Sequence, residues 1–283
     1  MAYPLDTITS KIQKYHQEKL TFGDDYICRE EPLEYRVPFI TTEGEVKFRT
    51  LAITMRTPGN DIELATGFLY SEGLIQSAQD ISGFRYCDEL GDAGHKNSLE
   101  IQLIKPVPAE NHLVERRFTT YSSCGLCGKT SIQSLDMQNP PVLDDQNDIV
   151  ELSVLNQLSS NMHSKQLLFQ QTGSAHASGL FDFKGNLLHL FEDVGRHNAL
   201  DKLIGFYLAN DPQQLSQSIL MVSGRTSFEL VQKAIMAGIQ ILVAVGAPSS
   251  LAVETAKRFN LTLIGFLRGN SFNIYNAPFR IKK

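Results

Sequence analysis

The sequence places two cysteines three positions apart, Cys124 and Cys127, inside the small-residue run Tyr121-Ser-Ser-Cys124-Gly-Leu-Cys127-Gly128. Glycine and serine leave both sulfurs poorly shielded and let a partner's backbone come close. A helix beginning near Gly128 or Lys129 would put the pair at a positive helix end beside an ammonium. Both effects favour thiolate, the form that attacks and accepts sulfur. Other chemistries use the same spacing. Structural zinc needs four ligands, usually from two such pairs. Only Cys28 and Cys87 remain, and they stand alone in the sequence. A thioredoxin-type dithiol needs a strand before the pair and a long helix after it, whereas the segment that follows is short and polar. Inert buried cysteines fit the glycine-rich setting poorly. A reactive thiol that carries a persulfide remains the leading reading, with the others open.

A second set of residues suits anions. Glu192-Asp-Val-Gly-Arg196-His197-Asn198, Ser223-Gly224-Arg225-Thr-Ser227 and Gly246-Ala-Pro-Ser-Ser250 each stand between a strand pattern and a helix pattern. In open α/β sheets, ligands bind beyond the carboxyl ends of strands, where helix N–H groups and hydroxyls hold anions. Arg196, Arg225 and Arg268 add guanidinium groups for phosphates. His176 and His197 fall near the same end, as candidates for ligand contact or proton handling. None of these junctions matches a Walker loop or a G-x-G-x-x-G turn. No resident metal site is expected.

The elements that must position these residues are legible from hydrophobic period. Residues 1–25 are polar and irregular, with one short helix expected over 12–20. Strands are expected over 33–40, 45–55, 83–87, 99–104 and 112–119. A helix opens at Asp61, with Ile62, Ala65, Phe68 and Leu69 on its apolar face. Residues 129–137 read as helical, and helices are also expected within 150–162 and 164–171. From 175 onward strands alternate with helices: strands at 175–183, 187–192, 218–222, 241–245 and 261–267, a final extended piece at 271–275, and helices at 197–208, 227–238 and 248–258. Apolar strands between helices argue for a layered α/β sheet covered on both faces. The expected organisation is therefore a mostly β N-terminal domain over 1–120, a CxxC loop and connector over 121–148, and an α/β cofactor-binding domain over 149–283.

Composition bounds the partners. The chain is 42% apolar and 20% charged, ordinary for a protein with a real core, and its net charge of −5 argues against a dedicated nucleic-acid binder. The longest apolar run, around 239–247, is far short of the roughly 20 residues of a membrane span. No basic stretch followed by an apolar run opens the sequence, so no signal peptide is expected. The expected compartment is a reducing cytoplasm, with no membrane partner.

Taken together these segments resemble the FdhD family, the accessory sulfurtransferases of formate dehydrogenase. The resemblance rests on Ser122-Ser-Cys-Gly-Leu-Cys-Gly128, Glu192-Asp-Val-Gly-Arg-His-Asn-Ala-Leu-Asp-Lys202, Ser223-Gly-Arg-Thr-Ser227, Gly246-Ala-Pro-Ser-Ser250 and Gly265-Phe-Leu-Arg268, in family order. The family's Thr-Gly-Gly-Val-His-Ala stretch reads Thr172-Gly-Ser-Ala-His-Ala177 here, with the histidine kept. The resemblance implies a C-terminal three-layer domain like cytidine deaminase, and a homodimer. It implies that Cys124 takes sulfur from a cysteine desulfurase as a persulfide, with Cys127 assisting release or serving as a spare carrier. The sulfur then goes to the molybdenum (or tungsten) bis-guanine-dinucleotide cofactor before that cofactor enters formate dehydrogenase. The cofactor is expected at the strand ends, with Phe266, Leu267, Arg268, Gly269, Asn270 and Ser271 part of its site. A guanine nucleotide alone is expected to mimic it. Deaminase chemistry itself is excluded. The corresponding helices begin His197-Asn-Ala and Gly224-Arg-Thr, with no glutamate at the required offset and no cysteine. Two rival functions share the same residues: a cofactor chaperone without sulfur chemistry, and a thiol–disulfide oxidoreductase.

Overall fold

The computed structural model describes residues 6–41, 43–87, 96–107, 128–143, 145 and 149–282. The segment holding Cys124 and Cys127, and the strand expected over 112–119, lie outside the described residues.

The chain starts with a two-stranded antiparallel ribbon, β1 (Thr7–His16) and β2 (Lys19–Cys28). The short helix expected over 12–20 is therefore not formed. Threonine, isoleucine and aromatic residues dominate both strands and favour extended backbone. The turn between them uses Gln17 and Glu18, both with positive φ (46° and 62°), the requirement of the tight hairpin turn that matches strand twist. Neither residue is the usual Gly or Asn, so the turn leaves no signature in the sequence.

A four-stranded sheet follows, in the order β4 (Val46–Arg56), β3 (Glu31–Ile40), β6 (Ser98–Leu103), β5 (Ile81–Tyr86). Helix α1 (Asp61–Ser71) packs Leu64, Ala65 and Leu69 against Leu33, Tyr35, Leu99 and Ile101 of this sheet. Ile62 was expected on that face, but it points outward and is 45% exposed. The helical turn instead turns Gly67 inward.

The larger sheet has six strands, in the order β13 (Ser271–Asn276), β12 (Thr262–Arg268), β11 (Ile241–Ala244), β10 (Ile219–Val222), β8 (His176–Phe181), β9 (Leu187–Asp193). β10, β11 and β12 are parallel. β8, β9 and β13 run antiparallel to their neighbours. Before this sheet come α2 (Gly128–Met137), β7 (Val150–Glu151), α3 (Leu152–His163) and α4 (Leu167–Thr172). Within it come α5 (Arg196–Asn210), α6 (Gln213–Ser216), α7 (Phe228–Met236) and α8 (Ser250–Arg258). Alternation along the strands sends side chains to opposite faces. Leu180, Leu220, Leu242 and Leu263 meet α5, α7 and α8, whereas Ala177, Met221, Val243 and Ile264 meet α3. The protein is thus a mixed α/β structure with helices against both faces of its main sheet. Among the described residues no helix is long and apolar enough to cross a membrane.

The two sheets are joined by α1 lying directly on α5. A Cβ on Gly67 would sit 1.9 Å from the Asp201 carbonyl oxygen, and one on Gly205 would sit 1.9 Å from the Glu63 carbonyl oxygen. Backbone meets backbone at this crossing, so neither position accepts even a methyl group. Gly205→Ala is expected to lower stability by at least about 2 kcal/mol, the cost of forcing apart a packed contact. A urea unfolding midpoint equal to that of the native chain would show that the helices are not in this contact.

Candidate functional site

The carboxyl ends of β10, β11 and β12 and the start of β8 make one continuous rim. Beyond the strands the backbone keeps pairing. Ala177 N–H donates to Ser223 Oγ (2.9 Å) and Ser223 N–H to Ala177 O (3.0 Å). Gly246 N–H donates to Gly224 O (3.1 Å), and Phe266 N–H to Gly246 O (3.1 Å). Gly246 is required here, because a Cβ would lie 2.8 Å from Arg225 Cγ and 2.9 Å from its backbone. The junctions at 223–227 and 246–250, His176 and the 266–271 segment therefore share one edge of the sheet.

Arg196 and His197 reach this edge from the first turn of α5. His197 Nε2 is 3.3 Å from Ser227 Oγ and 3.9 Å from Glu229 Oε2. His176 lies beside Gly224, where a Cβ would sit 3.4 Å from the imidazole Nδ1. Burial, the buried Lys233 ammonium and the Arg196 guanidinium push His197 down to about 4. Burial and then Arg196 also hold His176 below the usual histidine range. Both rings are neutral at pH 7, so the positive charge of the rim is guanidinium charge. Among the described residues no carboxylate stands within ion-pairing distance of Arg196, Arg225 or Arg268, and Arg196 Nε is buried without a hydrogen-bond partner. Thr226 Oγ1, on a residue 1% exposed, also lacks a partner. A buried orphan oxygen costs on the order of 1–3 kcal/mol unless something completes it.

The three junctions differ in one respect. Ser249 caps α8 through a bond from Ala252 N–H (3.2 Å), which uses that helix end internally. The first turn of α5 carries no side-chain cap, so its N–H groups are available to an anion, whereas the first turn of α7 holds the Glu229 carboxylate, which accepts from Ser227 Oγ and from its own backbone N–H.

The 266–271 segment is shaped by strain. The β12–β13 pairing shifts register between Gly265 and Arg268, and Phe266 adopts φ 57°. A left-handed phenylalanine is a genuine outlier, and such strain is found where function holds a side chain in place. Phe266 is 40% exposed, and Arg268, Gly269, Asn270 and Ser271 are exposed as well. Leu267 is fully buried in the core beneath α3, so its side chain faces away from any ligand at the rim. On the α3 side, a cavity of about 380 Å³ opens beside the rim, lined in part by Met162, His163, Phe169, His176 and Ser223.

Much of the 192–202 run turns inward instead. Glu192 accepts from Leu168 N–H (2.8 Å) and Phe169 N–H (2.9 Å), capping α4. Asp193 accepts from Gly195 N–H (2.8 Å), Asn198 Nδ2 (3.1 Å) and Thr57 N–H (3.1 Å), and pairs with Lys202 Nζ at 2.7 Å. Lys202 also donates to Thr57 O at 3.0 Å, and Asn198 to Met55 O at 2.7 Å. Asp201 pairs with Lys233 at 2.8 Å. The role of Thr57 had no sequence signal beyond its place before the Pro58-Gly59 breaker. Cys28 belongs to the same structural set. Its Sγ lies 3.2 Å from Thr57 Oγ1, and burial pushes its thiol up, which keeps it protonated and unreactive. Cys87 is half-buried, 3.6 Å from Arg36 Nη1. Among the described residues no group of three His, Cys, Asp or Glu side chains converges as a metal site.

The FdhD/NarQ family model matches residues 39–282. A curated relative from Nocardia farcinica, named a sulfur carrier protein, is 44% identical over 91% of this chain and 88% of its own. A second with that name, from Sulfurisphaera tokodaii, is 42% identical over 96% of this chain and 97% of its own. The crystal structure of a formate dehydrogenase accessory protein from Desulfotalea psychrophila superimposes with a TM-score of 0.73, covering 99% of this chain and 100% of that one at 24% identity, which shows a shared fold.

The rim makes a pH prediction. Unfolded His197 binds its proton near 6.5 and the folded form near 4, so the unfolded state holds more protons between those values. Stability is expected to fall as pH drops through that window, and His197→Gln is expected to flatten the fall. Urea midpoints at pH 4.5 and 7 in both proteins check this, and an equal drop in both contradicts it.

Proposed function

The chain belongs to the FdhD/NarQ family, and on that premise we propose that it is a sulfur carrier serving formate dehydrogenase. Cys124 is the carrier, and the rim of the six-stranded sheet is the dock for the acceptor. The observation that carries the reading is the rim itself: Arg196, Arg225 and Arg268, without a carboxylate partner among the described residues, beside the uncapped start of α5, in a protein of net charge −5. That chemistry suits a guest bearing several phosphates, such as a molybdenum bis-guanine-dinucleotide cofactor bound as substrate.

The transfer balances in two steps. The Cys124 thiolate attacks the outer sulfur of a persulfide on a cysteine desulfurase. A Cys124 persulfide forms and the desulfurase thiolate leaves. The Cys127 thiol then attacks Cys124 Sγ, breaking the new S–S bond. A Cys124–Cys127 disulfide forms and sulfide passes to the metal of the cofactor at the rim. The two electrons come from the cysteine pair, and a cellular dithiol reductant restores it. In this reading the protein is a cytoplasmic sulfurtransferase. The deaminase-like layering of 149–283 serves in this reading as a binding platform, and the β-rich N-terminal part braces it.

Isotopically labelled cysteine fed through a desulfurase, followed by mass spectrometry of the peptide spanning Cys124, is expected to show one added sulfur on that residue. Cys124→Ala is expected to abolish both the label and restoration of formate dehydrogenase activity. Full activity with Cys124→Ala would favour a cofactor chaperone instead.

A further inference from the structure

The cavity of about 380 Å³ beside the rim is left unused by the phosphate contacts of the arginines. Its size falls within the roughly 300–1,000 Å³ range of small-molecule sites. Among the described residues, no Lys, Arg, Asp or Glu side chain lines it. It therefore suits an uncharged part of a guest rather than a phosphate. Met162, Ala175 and Val245 supply apolar wall, and His176 and Ser223 join the cavity to the rim.

One buried polar group in it has nothing to bind. Gln166 sits between α3 and α4, is 5% exposed and lines the cavity. Its backbone is satisfied, since its N–H donates to His163 O (3.3 Å) and its C=O accepts from Gln170 N–H (2.9 Å). Its carboxamide makes no hydrogen bond among the described residues. The capping role that its place before α4 offers is taken by Glu192, which accepts from Leu168 N–H and Phe169 N–H. A buried amide without a partner is costly and calls for one. A carboxamide donates and accepts side by side, so it matches a ring edge that does the same. At the same cavity Phe169, 36% exposed, offers a flat apolar face, with the His163 ring edge-on at 6.1 Å. Aromatic faces of this kind stack on fused heterocycles. The bond from Phe169 N–H to Glu192 (2.9 Å) fixes the backbone that carries that ring.

We propose that this cavity seats a fused nitrogen heterocycle of the guest, with Gln166 on its polar edge and Phe169 against its ring face. The matching edge carries a C=O beside an N–H and an amino group, chemistry that guanine and pterin rings share. The inference rests on the reading of the guest as a molybdenum bis-guanine-dinucleotide cofactor, whose organic part carries both rings. It adds a neutral-ring subsite to the charged rim, so ring and phosphates are recognised by separate residues.

Equilibrium dialysis of the full chain against guanosine, pterin, adenosine and inorganic pyrophosphate tests it, because pyrophosphate alone of these needs the rim arginines. Guanosine or pterin is expected to bind at least about tenfold more tightly than adenosine, and the tighter of the two identifies the ring. Gln166→Leu removes the amide at similar size, and Phe169→Ala removes the flat face at the exposed mouth. Each is expected to weaken that ring at least about tenfold and to leave pyrophosphate binding unchanged. Pyrophosphate binding with neither ring bound overturns the proposal and leaves the rim standing. Adenosine bound as tightly as both other rings overturns it too, as do two variants that bind like the native chain. A ring bound in this manner by a chain that ignores pyrophosphate supports the cavity and contradicts the rim instead.

Discussion

The Asp193 carboxylate is sealed from solvent and accepts from four donors at once: the amides of Gly195 and Thr57, the Asn198 side chain and the Lys202 ammonium. That one group fixes three things. It ends β9, it orients the first turn of α5, and it holds the turn after β4 against the C-terminal half. A buried pair of this kind contributes little net stability against an apolar equivalent, but removing one partner strands a charge at a cost of about 3–5 kcal/mol. Its role is therefore geometric. The backbone N–H groups at the start of α5, and the Arg196 and His197 side chains, point to the rim because Asp193 and Lys202 hold the helix from beneath. The glycine crossing of α1 and α5 completes the clamp by letting the two backbones touch.

From that fixed helix the electrostatics follow. Lys233 lies buried against Asp201 below the rim, and Arg196 lies within it. Added to burial, the Arg196 field lowers both rim histidines and the Lys233 field lowers His197 further, so both rings stay neutral. Neutral imidazoles hydrogen-bond without adding charge, so the anion-attracting character depends on guanidinium groups that stay charged at every physiological pH. The arrangement lets a mildly acidic protein hold a strongly anionic guest at a single edge.

The sequence made the C-terminal half legible because its strands are buried on both faces and its helices are long, so hydrophobic period and junction chemistry agreed. Arg225 and His197 were readable as rim residues for the same reason. The ribbon was misread because Gln17 and Glu18 form its turn without glycine or asparagine. The conspicuous 192–202 run divided in a way no spacing reveals. Arg196 and His197 face the rim, while Asp193, Asn198, Asp201 and Lys202 bind Thr57, Met55 and Lys233, partners distant in sequence. Leu267 reads as one of a run of exposed neighbours, but the register shift at Phe266 turns it onto the same core face as Ile264. Long-range hydrogen bonds and the face of a bulged strand are properties of the fold, and a local reading does not contain them.

The central claim is that this rim is a cradle for a phosphate-bearing guanine guest, held by arginines that have no carboxylate partner among the described residues. Calorimetric titration of guanosine diphosphate into the native chain and the Arg225→Ala/Arg268→Ala variant, each at low and high salt, tests it most directly. The account predicts binding to the native chain that weakens as salt rises, and at least about tenfold weaker binding in the variant. Equal affinity in both proteins, independent of salt, would contradict it.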